Sequence, residues 1–174
     1  MRAKRRFLPQ NLRILQGKIM FNIVLVSPRI AQNTGSIGRM CFNAGFTLHI
    51  IKPTIFSLDD KAVRRAGLDY WAKLRPVIWE NLDEFLSANL AHKERFFLAS
   101  TKASKPYFEA KFKAGDFLFF GSESFGLPDE LMKMQGAQLI TIPMKAYGRS
   151  LNLATSVGIV AYEALRQNFA EFKK

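Results

Sequence analysis

The sequence predicts an α/β protein, with a mainly parallel sheet and helices on both of its faces. Three observations carry this. Short apolar runs recur at 21–26, 48–51, 96–99, 117–120 and 139–142, continuous rather than alternating, as strands buried on both faces require. The intervals are long enough for crossover helices, and helical patterning fills them near 34–44, 59–66, 81–90 and 128–134. A last helix over 151–168 sets Leu153, Val157, Val160, Ala161, Ala164 and Leu165 three and four residues apart, on one apolar stripe.

The first strand, Phe21-Asn22-Ile23-Val24-Leu25-Val26, starts directly after Met20. Ahead of it, residues 1–19 carry Arg2, Lys4, Arg5, Arg6, Arg13 and Lys18 with no acidic residue. They are expected to form a basic N-terminal extension to a single domain over 20–174. Two readings of that extension fit, a flexible arm or an upstream segment translated from an earlier start. Removing its six charges from the total of +12 leaves +6, so the body is basic as well. Such an excess speaks for polyanionic partners rather than for a fold. A chain of 174 residues suits one core.

Other classes drop out early. No window approaches the roughly 18 uninterrupted apolar residues of a membrane helix, since even Phe117-Leu118-Phe119-Phe120 is closed off within four positions. Phe7-Leu8 runs into Pro9, which leaves no apolar core for a secretory signal. The single cysteine, Cys41, fits a reducing compartment and reads as a packed helix residue. His49 and His92 have no ligand partners nearby in sequence and read as structural. A cytoplasmic protein with no metal and no membrane contact is expected.

Ligands of open parallel sheets bind outside the carboxyl ends of the strands, so three segments after strands deserve the chemistry. The first is Pro28-Arg29-Ile30-Ala31-Gln32-Asn33-Thr34-Gly35-Ser36-Ile37-Gly38-Arg39. Asn33 and Thr34 are good helix N-caps, and Arg39 falls one turn beyond Gly35, near a helix start that favours an anion. The segment lacks the dinucleotide fingerprint and the phosphate-loop pattern, which argues against a nucleotide-dependent oxidoreductase. The bland alternative is a capped helix with a solvated arginine.

The second segment, Phe119-Phe120-Gly121-Ser122-Glu123-Ser124-Phe125-Gly126-Leu127-Pro128-Asp129-Glu130, breaks an apolar strand into a loop bracketed by glycines. Such a loop presents bare amides and carbonyls to a flat ligand, while Glu123 either holds a hydroxyl or orients the loop. The third runs from Ile140 through Thr141-Ile142-Pro143-Met144-Lys145-Ala146-Tyr147-Gly148-Arg149-Ser150-Leu151-Asn152 to Leu153. Ser150 or Asn152 can cap the final helix, and Pro143 and Gly148 make the stretch an irregular binding loop rather than a plain connector. The final helix also carries Tyr162 and Phe169 as surplus apolar surface. A partner subunit and an ordinary buried terminal helix both account for that surplus.

In order and spacing, these segments resemble the three motifs of the SPOUT methyltransferases, and more narrowly the small bacterial tRNA wobble-position cytidine/uridine 2'-O-methyltransferases. Gln32-Asn33-Thr34-Gly35 with Arg39, Phe120-Gly121-Ser122-Glu123-Ser124 with Gly126-Leu127-Pro128, and Arg149-Ser150-Leu151-Asn152-Leu153 with Tyr162-Glu163-Ala164 carry the resemblance over residues 20–170. Arg64-Arg65-Ala66-Gly67-Leu68-Asp69-Tyr70 adds a fourth segment. Two positions depart from the pattern: Ser122 stands where relatives commonly have proline, and Phe125 where they commonly have a basic residue.

The resemblance implies a C-terminal trefoil knot, which no periodicity would predict. It implies S-adenosyl-L-methionine bound by Ala99, Gly121, Glu123, Ile142, Ser150 and Asn152, with its adenine on backbone groups of the loops. It implies Arg39 and Tyr162 in catalysis, Asn33, Arg64 and Arg65 toward the substrate, and a homodimer acting on the anticodon stem-loop of tRNA. Family accounts sometimes make the motif-one arginine a general base. A guanidinium is a poor proton acceptor, so Arg39 is better read as a cation that stabilises developing alkoxide or clamps the adjacent phosphate. Arg29, Lys61, Arg64, Arg65, Lys102 and Lys105 are further candidates for phosphate contacts. The alternatives are ribosomal RNA or another tRNA position as substrate, and a non-catalytic RNA-binding or assembly protein.

Overall fold

The computed structural model describes residues 20–58 and 71–173. The expected extension at 1–19, the helix at 59–66 and the motif holding Lys61, Arg64 and Arg65 lie outside the described residues.

In chain order the elements are β1 (Asn22–Val26), α1 (Ala31–Ala44), β2 (Thr47–Ile51), α2 (Trp71–Leu74), β3 (Val77–Trp79), α3 (Leu82–Asn89), β4 (Phe96–Ala99), β5 (Phe117–Phe120), α4 (Asp129–Met132), β6 (Gln138–Ile140), α5 (Leu153–Gln167) and α6 (Phe169–Phe172). The six strands form one sheet in the order β3-β2-β1-β5-β4-β6. Every pairing in it is parallel. The predicted mainly parallel sheet is therefore wholly parallel among the described strands.

Continuous apolar runs are buried because alternate residues feed opposite faces of the sheet. Ile23 and Leu25 of β1, Leu118 of β5 and Phe97 of β4 pack with Ile37 and Cys41 of α1 and Val157, Val160 and Ala161 of α5. Val24, Val26, Phe96, Leu98, Phe117 and Phe119 face the other way, around Phe85 of α3 and Leu131 of α4. Each face has its own core. Complete burial of such side chains stabilises by roughly 1.5–3 kcal/mol each, which is why the interior run could not be polar.

Strand β3 was not anticipated. It is a three-residue edge strand, only partly buried, and so shows no long apolar run. Helix α1 starts three residues before the expected 34. Its N-cap is Ile30, with no side-chain cap, while Asn33 and Thr34 lie buried inside the first turn. The Thr34 hydroxyl turns back to donate to Ile30 O at 3.4 Å. Arg39 consequently sits nine residues into α1, too far along for the helix-start field, which fades within the first turn. Gly45 closes α1 at φ 65, and its amide bonds Cys41 O. A side chain is disfavoured in that left-handed conformation, so glycine lets the chain reverse into β2.

Candidate active site

A cavity of about 490 Å³ opens at the carboxyl ends of β1, β4, β5 and β6. Ile30 and Asn33 reach it from the β1–α1 segment, Ala99 to Lys102 from the end of β4, and 120–127 from the loop after β5. Thr141, Ile142 and Met144 follow β6, and 150–153 with Ser156 lead into α5. Its volume lies within the range of small-molecule sites. Seven of the anticipated residues line this one space: Asn33, Ala99, Gly121, Glu123, Ile142, Ser150 and Asn152. Ser100, Thr101 and Thr141 also line it, although the sequence reading did not single them out. The only signal for Ser100 and Thr101 was position, directly after the apolar run at 96–99, while Thr141 lay within the run at 139–142.

A chain of hydrogen bonds joins the three loops. Glu123 accepts from the Arg29 amide at 2.8 Å, the Ile30 amide at 3.2 Å and Asn33 Nδ2 at 2.9 Å. Asn33 Oδ1 in turn accepts from Asn152 Nδ2 at 2.9 Å. Asn152 completes the chain as the N-cap of α5, its Oδ1 accepting from the Ala154 and Thr155 amides. A side chain here satisfies amides that the helix cannot. Glu123 does the same for the entrance of α1 and holds a negative charge where that helix end favours one. Of the two roles open to Glu123, orienting the loop is the one its bonds perform.

The loop after β5 is closed by reciprocal backbone bonds, Ser122 N to Gly126 O at 3.1 Å and Gly126 N to Ser122 O at 2.9 Å. Ser122 Oγ accepts from the Phe125 amide at 3.2 Å. A Cβ on Gly121 would stand 1.9 Å from the Gly126 carbonyl carbon, and Gly126 itself has φ +70. The first glycine permits close approach of two backbone segments and the second permits the turn.

Arg39 and Tyr162 do not line the cavity. Both are exposed, on α1 and α5 respectively, and those two helices pack together. Arg39 lies six positions after Asn33, about 9 Å along a helix. Beside Tyr162, Glu163 accepts from Arg166 Nε and Nη2, each at 2.8 Å. That pairing, with Gln167, holds the Glu163 carboxyl below its ordinary range.

The residues read as structural sit away from this site. His49 is buried, and Trp79 Nε1 donates to its Nδ1 at 3.2 Å while its Nε2 pairs with Asn22 Oδ1 at 3.1 Å. Burial lowers it to about 4. His92 stacks on Phe117. Cys41 is wholly buried, which pushes its thiol up. Among the described residues no group of three or more His, Cys, Asp or Glu could hold a metal, and no helix is long and apolar enough to cross a membrane.

Comparison with known proteins agrees with this geometry. Residues 20–162 match the profile of the SpoU rRNA Methylase family. A tRNA (cytidine(34)-2'-O)-methyltransferase of Burkholderia cenocepacia is 42% identical over 149 residues, covering 85% of this chain and 96% of the relative. A solved structure concerned with 2-OH methylation of C/U34 on tRNA superposes with a TM-score of 0.80 at 40% identity, over 88% of this chain and 99% of that one. An AdoMet-bound rRNA methyltransferase of Sinorhizobium meliloti gives 0.72 at 28% identity, with 84% of this chain covered but 56% of the other.

Proposed function

The chain belongs to the SpoU methylase family, and we propose that within it the protein is a tRNA (cytidine(34)/uridine(34)-2'-O)-methyltransferase using S-adenosyl-L-methionine. The observation that carries the reading is the cavity in which Glu123, Asn33 and Asn152 tie all three motif segments together. Coverage favours wobble tRNA over ribosomal RNA. The chain spans 99% of the C/U34 methylation structure but 56% of the rRNA methyltransferase.

The lining suits a nucleoside bearing a short polar tail. Ala99, Ile142, Leu127 and Leu153 offer apolar surface for a base, and Ser100, Thr101, Ser122 and Ser150 offer hydroxyls. When bound, S-adenosylmethionine supplies a methyl group on a sulfonium, with the positive charge lost on transfer. The chain's own contribution is mostly positioning, because an in-line displacement requires the ribose oxygen and the methyl carbon to be aligned. Ala99, Gly121, Ile142 and Ser150 hold the cofactor, and Asn152 and Glu123 fix the loops that do so. Asn33 stands at the substrate side. Arg39 acts as a cation toward the 2'-oxygen or its neighbouring phosphate, with Tyr162 aligning the target. Arg64 and Arg65 supply contacts to the anticodon stem-loop.

A homodimer fits the placement of Arg39 and Tyr162. Both lie outside the cavity of their own subunit, on exposed faces of α1 and α5, where a second copy would meet them. The residual apolar exposure of Tyr162, at 51%, and Phe169, at 45%, points the same way. The C-terminal knot expected from the family, the 20–174 domain with its basic extension and a cytoplasmic location belong to the same reading. Its test is methyl transfer from labelled S-adenosylmethionine to total tRNA by wild type and Arg39→Ala, followed by mapping of the modified nucleotide. Label at a wobble ribose, lost in the variant, is the expected result; label elsewhere would replace the substrate, and no cofactor binding would end the enzyme reading.

A further inference from the structure

Phe125 is 77% exposed, although it lies on the rim of the cavity, where its loop is held tightly. Its amide is fixed by Ser122 Oγ, and the turn beneath it is closed by the Ser122–Gly126 pair. The Arg29 guanidinium carbon stands 5.3 Å from the ring centroid. Arg29 is anchored in turn, since its amide donates to Glu123. An aromatic ring and a guanidinium on two separate loops are thus held in register by the carboxylate that joins those loops. Lys102, also exposed, lines the same cavity, its Nζ 3.5 Å from Asp129 Oδ1 in a solvent-exposed pair.

An exposed aromatic ring with a guanidinium over it presents a planar face on which another planar group can lie. The partner that suits an exposed ring backed by a guanidinium, with a further cation on the same cavity, is an unpaired nucleobase and its phosphate: bases stack on aromatic and guanidinium planes, and the charges meet the backbone. We propose that Phe125 and Arg29 form a stacking platform for a base flanking the methylated nucleotide, making Phe125 a determinant of RNA recognition in this chain. The proposal rests on the methyltransferase reading for the identity of the RNA.

The experiment uses full-length protein and an anticodon stem-loop RNA carrying 2-aminopurine at each loop position in turn. Wild type quenches one position next to the target. Phe125→Ala and Phe125→Leu abolish that quench and weaken RNA binding about tenfold, the scale of one lost base–aromatic stack. Phe125→Trp restores both. Affinity for S-adenosylmethionine changes far less than affinity for RNA. A leucine variant that binds and quenches like wild type overturns the proposal, as does a loss confined to cofactor affinity or a change in oligomeric state in Phe125→Ala. Failure of the functional reading looks different: wild type would bind and quench the RNA yet transfer no methyl to it.

Discussion

Asn33 and Asn152, 119 positions apart in sequence, are joined by a 2.9 Å hydrogen bond in which Asn152 Nδ2 donates to Asn33 Oδ1. The same Asn152 caps α5 through its oxygen. The two functions use different atoms, so they can be separated. Asn152→Asp keeps the capping oxygen and loses the donor. Asn152→Ala loses both, and should cost about 1 kcal/mol of stability from the cap alone. Thermal melts should therefore place Asn152→Asp above Asn152→Ala, while titration with S-adenosylmethionine finds both weakened. An aspartate variant with wild-type cofactor affinity would show that the cross-loop bond does not shape the site.

Gly121→Ala tests the backbone approach under the same cavity. The added carbon would sit 1.9 Å from the Gly126 carbonyl carbon, with 2.2 Å to its oxygen and to the Leu127 amide. No side-chain rotation relieves a backbone clash, so the 122–126 loop must move. Overpacking of this kind costs typically 1–3 kcal/mol. Calorimetry should find a folded protein of reduced melting temperature that has lost most of its cofactor affinity. Gly148→Ala is the control, because its nearest neighbour would be Lys145 O at 3.4 Å, an ordinary contact.

Much of this was legible in the sequence, for reasons that can be named. Runs such as Phe117-Leu118-Phe119-Phe120 announce themselves because both sheet faces are covered, and β5 occupies that run. Loops after those runs could be chosen as the site because a parallel sheet directs ligands there. Strand β3 was invisible, because three residues on a sheet edge, two half-buried and Ile78 exposed, leave no pattern. The start of α1 was misplaced because Asn33 and Thr34 have the chemistry of caps, yet tertiary bonds recruit Asn33 to Glu123 and Asn152. Partners 90 and 119 residues away leave no local signal. Nor could spacing show that Arg39 and Tyr162 lie outside the cavity their neighbours line.

Asp116 and Arg95 offer a stability test remote from the cavity. Arg95 Nε and Nη2 donate to Asp116 Oδ1 at 2.7 Å and Oδ2 at 2.6 Å, and the Lys113 amide donates to Oδ2 at 2.7 Å. Asp116 is buried, while the Arg95 side chain keeps 33% of its exposure. Removing one partner of a buried pair leaves the other uncompensated, at a cost of about 3–5 kcal/mol, and partial solvation of Arg95 puts this case at the low end. Asp116→Ala should lower the denaturant midpoint strongly and leave cofactor affinity of the folded fraction intact. A midpoint unchanged from wild type would mean the pair contributes nothing net.

His49 makes the fold sensitive to mild acid. Trp79 donates to its Nδ1, so the ring proton must sit on Nε2, facing Asn22 Oδ1, while Asn22 Nδ2 donates to Gly115 O. The rings of Phe85 and Phe117 pack against it, and among the described residues no carboxylate is bonded to His49 to stabilise a charged ring. Burial therefore lowers the folded pKa to about 4 from an ordinary 6.5. In the unfolded chain the imidazole takes up a proton as pH falls through 6.5; in the folded chain it does not until about 4. Stability is thus fully present above 6.5 and declines across that window, at up to about 1.4 kcal/mol per pH unit and roughly 3 kcal/mol in all. Denaturant titrations of wild type and His49→Gln at pH 7, 5.5 and 4.5 would isolate the effect, because every other titrating group is common to both. The gap between them should change with pH in the direction of a steeper loss for wild type. Parallel losses would mean that the folded protein accepts the proton as readily as the unfolded chain, and that the Trp79–His49–Asn22 arrangement does not hold the ring neutral.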